Sequence, residues 1–475
     1  MRYGRTSIVN FLSQLAMSFA GFFATIALTR TLGADRYGAY VVVLAVLSWL
    51  TIAGNVGLSQ AIKKRVSEAA EGNYVVSGLL AQFVLYVLLA VVLLLARPHL
   101  NAYMGIDATL VLVGLLGARL AGDFVQNVLD GQRLVHVSSV LSPIEWTTRS
   151  VVQVALVLTG FGLAGAFAGY AVGALVAVAV GSYFLSVPRT VPTRQEFRRL
   201  KSYAQFSWLA SVQGRTFLSM DTVVLAIFVA NDVIAVYEIA WNVASLFAIF
   251  GSSIRRTLFP EMSRISSENG VDAEITDLLR TSLTFSGLFI VPGLVGSAIV
   301  GDVVLSIYGP EFRTGYYILL ALTVARLIYS YQGQFLNTID AVDRPDLTFR
   351  INAVFVGANL ALNVALISAF GWYGAATATT VSAALGLGLG YRYARRVVDV
   401  VVPFREVLNQ WLAAAAMAVV VLAGRLVLGD SLLAVVPLVG VGAAVYFGAL
   451  LALSGEFRAA VERNLPDDAP IPDLE

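Results

Sequence analysis

Two short segments, FGLAGAFA at 161–168 and FGWYGAAT at 370–377, resemble each other across an offset of about 209 residues. The same offset pairs three further small or apolar positions, Val172 with Val381, Ala174 with Ala383 and Gly181 with Gly390. A weaker echo pairs the stretch 34–40 with 230–237. Each copy lies between long apolar stretches, so the similarity indicates an internal repeat of membrane helices.

The composition around these segments is that of a membrane protein. Of 475 residues, 58% are hydrophobic and 13% are charged, whereas about 25% are charged in an average soluble chain. The apolar runs lack the alternation of barrel strands and are therefore predicted to be helices. Cysteine is absent, which excludes disulfides and thiolate chemistry. No cofactor, metal site or catalytic residue is predicted.

About fourteen segments are long enough to cross a bilayer, which needs about 20 apolar residues per helix. The first is longer than the apolar region of a signal peptide and is predicted to be a retained helix. The predicted spans are 7–29, 38–61, 75–96, 107–129, 137–160, 163–186, 204–229, 233–254, 279–301, 314–338, 348–370, 373–391, 407–427 and 432–454.

The predicted fold is an all-α polytopic membrane protein with two six-helix lobes and two further C-terminal helices. Six spans separate the repeat copies, so both have the same orientation and the lobes are related by a pseudo-twofold axis along the membrane normal. The predicted domains are 1–190 for the first lobe, 191–400 for the second lobe, and 401–475 for the additional helices and tail.

The distribution of basic residues predicts the orientation. Of 32 Lys and Arg residues, only a few lie in the odd-numbered loops, namely Arg30, Arg36, Arg97, Arg313 and Arg425. Nearly all others lie in the even-numbered loops and at the termini. Because cytoplasmic loops are enriched in Lys and Arg, a multi-pass protein of the cytoplasmic membrane with both termini in the cytoplasm is predicted. Basic loops, such as the one from Arg194 to Lys201, are interpreted as topology determinants.

Two further stretches resemble a known family. The stretch 31–66, TLGADRYGAYVVVLAVLSWLTIAGNVGLSQAIKKRV, is similar to the first hairpin of polysaccharide-type (Wzx-like) flippases of the multidrug/oligosaccharidyl-lipid/polysaccharide (MOP) exporter superfamily. The stretch 337–384, with IDAVDRPDLTFR and FGWYGAATATTVSAA, is similar to their region around spans ten to twelve. Together with the span count, the resemblance covers essentially the whole chain.

The resemblance implies a transporter that moves an isoprenoid diphosphate-linked oligosaccharide across the membrane by alternating access, for polysaccharide or glycoconjugate assembly. Its expected partners are this lipid-linked substrate, membrane lipids and polysaccharide assembly proteins, with no nucleic acid. The lipid II flippases of the family carry cavity arginines in their first two helices. The first span here has no charge at mid-depth, which disfavours a peptidoglycan precursor as substrate.

Four arginines lie near the middle of predicted spans. A charge at the bilayer centre costs about 2.5–3.5 kcal/mol on insertion scales, so such residues indicate either function or pairing. Arg119 has Asp123 four residues later, and Arg149 has Glu145 four residues earlier. Each pair lies on one helix face and is expected either to neutralise itself or to support substrate binding.

Arg215 and Arg326 have no acid three or four residues away, so an anionic ligand is a candidate partner. Arg326 begins a polar stripe at helical spacing. If such stripes converge, they predict a water-filled cavity; a closed core with interhelical hydrogen bonds is the alternative. Guanidinium groups suit a diphosphate, and amides and hydroxyls suit sugars. The candidate substrate-binding residues are Arg215, Arg326, Arg119, Arg149, Gln334, Asn337, Tyr329 and Gln14.

Four carboxylates, Glu145, Asp221, Glu238 and Asp123, are candidates for coupling transport to protons or sodium. The membrane potential acting on the substrate charge is the alternative driving force. Two other functions stay open. A MATE-type drug or cation antiporter would concentrate acids in its cavity, and a membrane-embedded glycan ligase or polymerase would need a large extramembrane region. An ATP-driven exporter is disfavoured because no phosphate-binding loop occurs.

Overall fold

The described part of the chain is helical. The computed structural model describes the backbone of residues 2–68, 72–268 and 272–464, and the side chains of 20–68, 72–205, 220–268 and 273–463. No β-strand occurs within these ranges, which confirms the predicted all-α fold. The helices are α1 (Arg2–Asn55), α2 (Leu58–Ser67), α3 (Tyr74–Leu95), α4 (Arg97–Met104), α5 (Thr109–Gly131), α6 (Val135–Leu156), α7 (Gly162–Tyr183), α8 (Arg194–Phe228), α9 (Asn231–Phe247), α10 (Ile249–Ser267), α11 (Asp272–Ser286), α12 (Ile290–Leu305), α13 (Tyr316–Ala341), α14 (Pro345–Ala394), α15 (Phe404–Leu428), α16 (Leu432–Leu453) and α17 (Gly455–Asn464).

Several helical segments within the described residues are long and apolar enough to cross a membrane. These eight are Ala20–Asn55, Tyr74–Leu95, Thr109–Gly131, Val135–Tyr183, Ala273–Leu305, Pro345–Ala394, Phe404–Leu428 and Leu432–Leu453. A ninth candidate joins α9 and α10 across a bend of 48°. At 1.5 Å per residue, the helical path of each of the two longest segments adds up to about 70 Å, which is enough for two crossings each. The helices are therefore compatible with about fourteen crossings.

The backbone repeats the sequence similarity. Gly162, at the start of α7, has φ 54° and ψ −135°, and Gly371, within α14, has φ 56° and ψ −135°. Residues with a side chain rarely adopt this backbone conformation. Glycine therefore permits the chain to reverse its direction between two helices at both places. The two glycines occupy equivalent positions in the repeated segments. The predicted internal repeat is therefore confirmed in the fold.

The first compact unit comprises Met1–Ala235. The helices α6 and α7 pair across the turn at Gly162, α5 packs against α7 and α2, and α1 packs against α6. The helix α8 packs against α1, α2 and α3. The buried core of this unit contains Leu58, Ile62, Tyr74, Phe124, Val128, Leu129, Leu141 and Leu200.

Both ends of α8 are fastened to the first unit. Near its start, the carboxylate of Glu196 accepts hydrogen bonds from the Asn73 backbone N–H at 3.0 Å and the Ser77 hydroxyl at 2.5 Å. Near its end, the Tyr103 hydroxyl donates to the Val223 carbonyl at 2.5 Å. The predicted seventh span thus packs with the first unit. The domain division at 190 and 400 stays a prediction.

The second compact unit comprises Val236–Glu475. The helix α13 packs against α14, α10 and α11, while α15 and α16 pair and lie against α12. Two contacts hold α15 in place. The Gln410 amide donates to the Thr284 carbonyl at 2.5 Å, and Arg425 lies 3.1 Å from the carboxylate of Asp302. The two C-terminal helices therefore form part of this unit.

Candidate functional site

A pocket of about 160 Å³ opens in the second unit where α9 ends and α10 runs along α13. Pockets for whole drug-sized ligands are usually about 300–1,000 Å³, so this one suits a small polar group of a larger molecule. The residues that line it are Ser245, Ala248, Ile249, Gly251, Ser252, Arg255, Arg326, Tyr329, Ser330 and Gln334. All belong to the described part of the chain, and none is acidic.

Arg326 is positioned by α9. Its guanidinium lies over the indole ring of Trp241, 3.9 Å from the ring centroid, and donates a hydrogen bond to the Ser245 hydroxyl. Both of these partners are uncharged, and a cation over an aromatic face keeps its charge. Tyr329 lines the same pocket one turn away. The polar stripe predicted on span ten therefore faces α10.

Arg255 is the second cation of the pocket, and sequence reasoning missed its role. The predicted eighth span ends at residue 254, which assigns Arg255 to the following loop, but α10 continues to Ser267. Its guanidinium rests against Gly333 on α13, where an added Cβ would overlap it. The helical spacing of Ser245, Ser252 and Arg255 is the sequence signal that indicates one continuous polar face.

Two amides of α13 hold α10 in place. Gln334 is 2% exposed, and its Nε2 donates to the Gly251 carbonyl at 3.2 Å. One turn later, the Asn337 Nδ2 donates to the Arg255 carbonyl at 3.3 Å. Gln334 also lines the pocket, whereas Asn337 does not. These hydrogen bonds position the backbone that carries Arg255.

The first unit contains a different arginine arrangement. The Arg119 guanidinium lies 3.3 Å from the Asp123 carboxylate and 3.2 Å from the Glu145 carboxylate. The predicted pairing of Arg119 with Asp123 is confirmed. For Arg149 and Glu145, pairing was one of two expected outcomes, and the structure instead directs Glu145 from α6 to Arg119 on α5. Two acids therefore share one arginine.

Arg149 is held by aromatic side chains. Its Nη2 donates to the Tyr40 hydroxyl at 2.7 Å, and its guanidinium lies over the rings of Tyr170 at 4.2 Å and Trp146 at 4.7 Å. The Gln153 amide donates to the same Tyr40 hydroxyl at 2.8 Å. Aromatic faces attract cations without neutralising them. Arg149 is thus a positioned cation close to the Arg119 cluster.

The remaining candidates are distributed over other helices. Asp221 is 7% exposed on α8, and Glu238 is half-buried on α9. Arg215 on α8 and Gln14 on α1 lie outside the side chains that the structure describes. Of the predicted substrate-binding residues, the structure brings Arg326, Tyr329 and Gln334 together in one pocket.

Two protein-family models match the chain. The model described as "Polysaccharide biosynthesis protein" matches residues 3–266, which is more than half of the chain. The model described as "Lipid II flippase MurJ" matches residues 138–442. Both matches cover helices that build the pocket or the Arg119 cluster.

Two relatives from Haloferax volcanii match nearly the whole chain. The protein named "Probable flippase AglR" is 31% identical over 98% of this chain and 99% of that protein. The protein named "Probable low-salt glycan biosynthesis flippase Agl15" is 26% identical over 95% of this chain and 95% of that protein. The similarity therefore includes both units and the C-terminal helices.

Solved structures share the fold. The lipid II flippase MurJ in an inward closed conformation superposes with a TM-score of 0.78, covering 96% of this chain and 100% of that chain at 15% identity. A multidrug resistance MATE family transporter of the MOP superfamily, in an inward-facing conformation, has a TM-score of 0.63 over 80% of this chain and 94% of that chain at 16% identity. From the family model and the full-length relatives, the chain belongs to the polysaccharide biosynthesis protein family.

Proposed function

We propose that the protein is a flippase that moves an isoprenoid diphosphate-linked oligosaccharide across the cytoplasmic membrane by alternating access. The observation that carries the proposal is full-length similarity to a relative named as a flippase, 31% identical over 98% of the chain. It is a transporter and not an enzyme. The transported glycan would serve the assembly of polysaccharides or glycoconjugates, together with polysaccharide assembly proteins.

The pocket of the second unit supports a diphosphate as the recognised group. Arg255 and Arg326 both line it, and Tyr329 adds a hydroxyl. Planar guanidinium groups donate paired, charge-assisted hydrogen bonds to phosphate oxygens. Neutralising the diphosphate lowers the cost of moving it through a low-dielectric membrane interior. The two arginines would therefore bind the charge during translocation.

The other predicted residues have supporting roles in the proposal. Arg149 contributes a second cationic position in the first unit, while Arg119 is largely committed to its two acids. Arg215 belongs to the proposed binding set as well. Neutral groups, namely Gln14, Gln334 and Asn337, would hydrogen-bond sugar hydroxyls.

The energy source is a separate part of the proposal. Asp221 and Glu238 are the candidates for coupling to protons or sodium, because neither takes part in the Arg119 cluster. Glu145 and Asp123 keep this role only if Arg119 releases them during the cycle. Both termini are proposed to face the cytoplasm, on the basis of the Lys and Arg distribution.

The charge of the pocket argues against the antiporter alternative. A pocket that attracts cationic drugs needs acidic residues, and the lining described above has two arginines and no acid. Like charges close to a bound cation would repel it. An anionic headgroup fits this electrostatic environment better.

The test is transbilayer movement of a fluorescent isoprenoid diphosphate oligosaccharide in proteoliposomes with the full chain. Arg326→Gln and Arg255→Gln are each expected to slow the movement at least about tenfold, equivalent to about 1.4 kcal/mol. Arg256→Gln is the matched control, since Arg256 is the exposed neighbour of Arg255 and does not line the pocket.

Native rates in both pocket variants would contradict the assignment of the pocket. Absence of lipid movement by the native chain, with uptake of a cationic drug in parallel vesicles, would instead support the antiporter. Equal loss in all three variants would indicate a general effect of surface charge.

A further inference from the structure

The linker segment, residues 183–201, joins α7 to α8 and carries a positive surface charge. Its sequence is YFLSVPRTVPTRQEFRRLK. Five cations of this segment are exposed, namely Arg189, Arg194, Arg198, Arg199 and Lys201. The single acid of the segment, Glu196, is 3% exposed. The charge that the segment presents at the surface is therefore positive only, which suits an anionic partner.

Large apolar side chains of the linker segment are exposed beside these cations. Val191 is 81% exposed, and Val187 is also exposed; both lie between the two helices. Tyr183, the last residue of α7, is 84% exposed, and its ring packs edge-on against that of Phe184 with the centroids 5.2 Å apart. Apolar side chains that are grouped on a surface indicate contact with a protein or a membrane.

The backbone of the linker segment is fixed to the first unit. The Asn73 Nδ2 donates to the Pro188 carbonyl at 2.8 Å and to the Thr190 carbonyl at 2.7 Å. The Gln132 side chain donates to the Ser186 carbonyl at 2.5 Å and accepts from the Ser186 N–H at 3.1 Å. Because these contacts occupy the backbone groups, the exposed side chains project from a preformed surface.

The length of α7 places the linker segment at the membrane surface. This helix has 22 residues, which extend over about 33 Å at 1.5 Å per residue, slightly more than the hydrocarbon core of about 30 Å. It belongs to a segment that is long and apolar enough to cross a membrane. Tyrosine, its last residue, is enriched at membrane–water interfaces. The residues that follow Tyr183 therefore lie at the depth of the lipid headgroups.

We propose that the linker segment is a binding surface for the headgroups of anionic phospholipids in the surrounding bilayer. Val187 and Val191 insert among the headgroups. The phosphates bind to Arg189, Arg194 and Arg198. Guanidinium groups donate paired hydrogen bonds to phosphate oxygens, and basic residues next to a membrane span are attracted to anionic lipid. An acidic protein would match the charge, but exposed valines at headgroup depth favour lipid. This binding does not depend on the molecule that the protein transports.

The test is the depth of a label at position 191. Cysteine is absent from the chain, so Val191→Cys carries a single environment-sensitive fluorophore. The full chain is reconstituted into vesicles of phosphatidylcholine, with or without phosphatidylglycerol, and the label is quenched by lipids with a spin-labelled headgroup. Phosphatidylglycerol is expected to increase the quenching on the order of twofold, and high salt to reverse the increase. A label at Ser267→Cys, exposed at the end of α10 beside Glu268, is the control position and should not respond.

Removing the arginines separates charge from apolar insertion. Arg189→Gln, Arg194→Gln and Arg198→Gln are each expected to reduce the effect of phosphatidylglycerol, and their combination is expected to abolish it. Each single variant retains the other basic residues that orient the chain. Arg264→Gln is the matched control, because this exposed arginine already pairs with two neighbouring acids.

Three results would overturn the proposal. A label at position 191 that stays in water in both kinds of vesicle would exclude lipid contact. Quenching that is equal with and without phosphatidylglycerol, or unchanged in the combined arginine variant, would exclude recognition of headgroup charge. A response of the label to added polyglutamate, with none to phosphatidylglycerol, would instead indicate an acidic protein as the partner.

Discussion

The two units surround their arginines with opposite chemistry. In the first unit, Arg119 lies between the carboxylates of Asp123 and Glu145. In the second unit, Arg255 and Arg326 line a pocket whose other lining residues are uncharged. Arg119 thus lies between two acids, whereas Arg255 and Arg326 line a pocket whose lining contains no acid. The position of an arginine within a membrane helix does not by itself indicate a binding site, because the neighbouring helices determine its surroundings.

The internal repeat explains this difference at one position. Arg133 and Asp343 have positive φ values of 63° and 58° in equivalent turns, 210 residues apart. At this offset of 210 residues, one more than the 209 between the glycine turns, Asp123 in the first unit aligns with Gly333 in the second. Where the first unit has an acid, the second has a bare Cα, and the guanidinium of Arg255 occupies the space.

Introducing an acid at position 333 of the second unit should have the largest effect on transport. Gly333→Asp is expected to pair with Arg255 and to slow lipid movement in proteoliposomes by about tenfold or more, about 1.4 kcal/mol. Gly333→Asn is the control of equal size, expected to slow movement by only about threefold because it displaces Arg255 without neutralising it. Equal rates of lipid movement for the two variants would show that the volume of the new side chain, and not its charge, causes the loss.

Replacing Arg119 in the first unit should affect the stability of the fold more than the rate of transport. Arg119→Gln leaves the carboxylates of Asp123 and Glu145 without their shared cation, a cost of about 1–3 kcal/mol. The measurement is the unfolding temperature of the full chain in detergent. Neutralising all three residues together is expected to recover most of the loss. Lost transport with an unchanged unfolding temperature would instead make Arg119 a substrate ligand.

A buried acid near the start of α8 provides a pH test in the first unit. Burial alone would raise the pKa of Glu196, but hydrogen bonds from Ser77, Asn73 and Thr193 outweigh it and lower the pKa. A lowered pKa stabilises the fold above the unfolded value of about 4.3, and this contribution is lost as the pH falls through the folded pKa.

Glu196→Gln is therefore expected to unfold at a lower temperature than the native chain at pH 7. The difference is expected to shrink below about pH 4, where the unfolded carboxyl is also protonated. A difference of equal size at every pH would show that the Glu196 carboxylate acts through its shape and not through its charge.

The smallest effect is expected at Asp340, which lies beyond the predicted end of span ten at residue 338. Burial raises its pKa. A raised pKa favours the folded state only below the unfolded value of about 3.9, and the contribution is lost as the pH rises through the folded pKa. Asp340→Asn is therefore expected to raise the unfolding temperature slightly at pH 7 and to leave it unchanged near pH 3.

The control is the repeat-equivalent acid of the first unit. Asp130 lies 2.8 Å from the ammonium group of Lys63. Asp130→Asn removes this pair and is expected to lower stability by up to about 1 kcal/mol, since the pair is partly exposed. A stabilising effect at both positions would contradict the different environments of the two acids.

Part of the pocket could be predicted from the sequence. Arg326, Tyr329 and Gln334 share one face of a helix by their spacing alone, and they do line one pocket. Arg255 was not predicted as part of it, because the apolar span ends before it while the helix continues past a 48° bend. A hydropathy pattern reports where lipid contact ends, not where a helix ends.

Pairing between helices was predicted less well. The spacing of Arg119 and Asp123 predicted a contact on one helix, which the structure confirms. Arg149 and Glu145 have the same spacing, but Glu145 pairs with Arg119 on α5. Spacing along one helix determines which side chains are able to meet, and the packing of neighbouring helices selects among them.

The sequence by itself determined the all-α fold class, the apolar spans and the repeat. Membrane helices satisfy their backbone within each segment, so an apolar run of sufficient length already specifies one. Only the tertiary structure decided which arginines line a pocket and which lie between acids. The surroundings of a charged side chain come from other helices. Glu145 on α6 pairs with Arg119 on α5, and Gly333 on α13 leaves the space that the Arg255 guanidinium occupies. These contacts depend on how the helices pack together, which no local sequence pattern specifies.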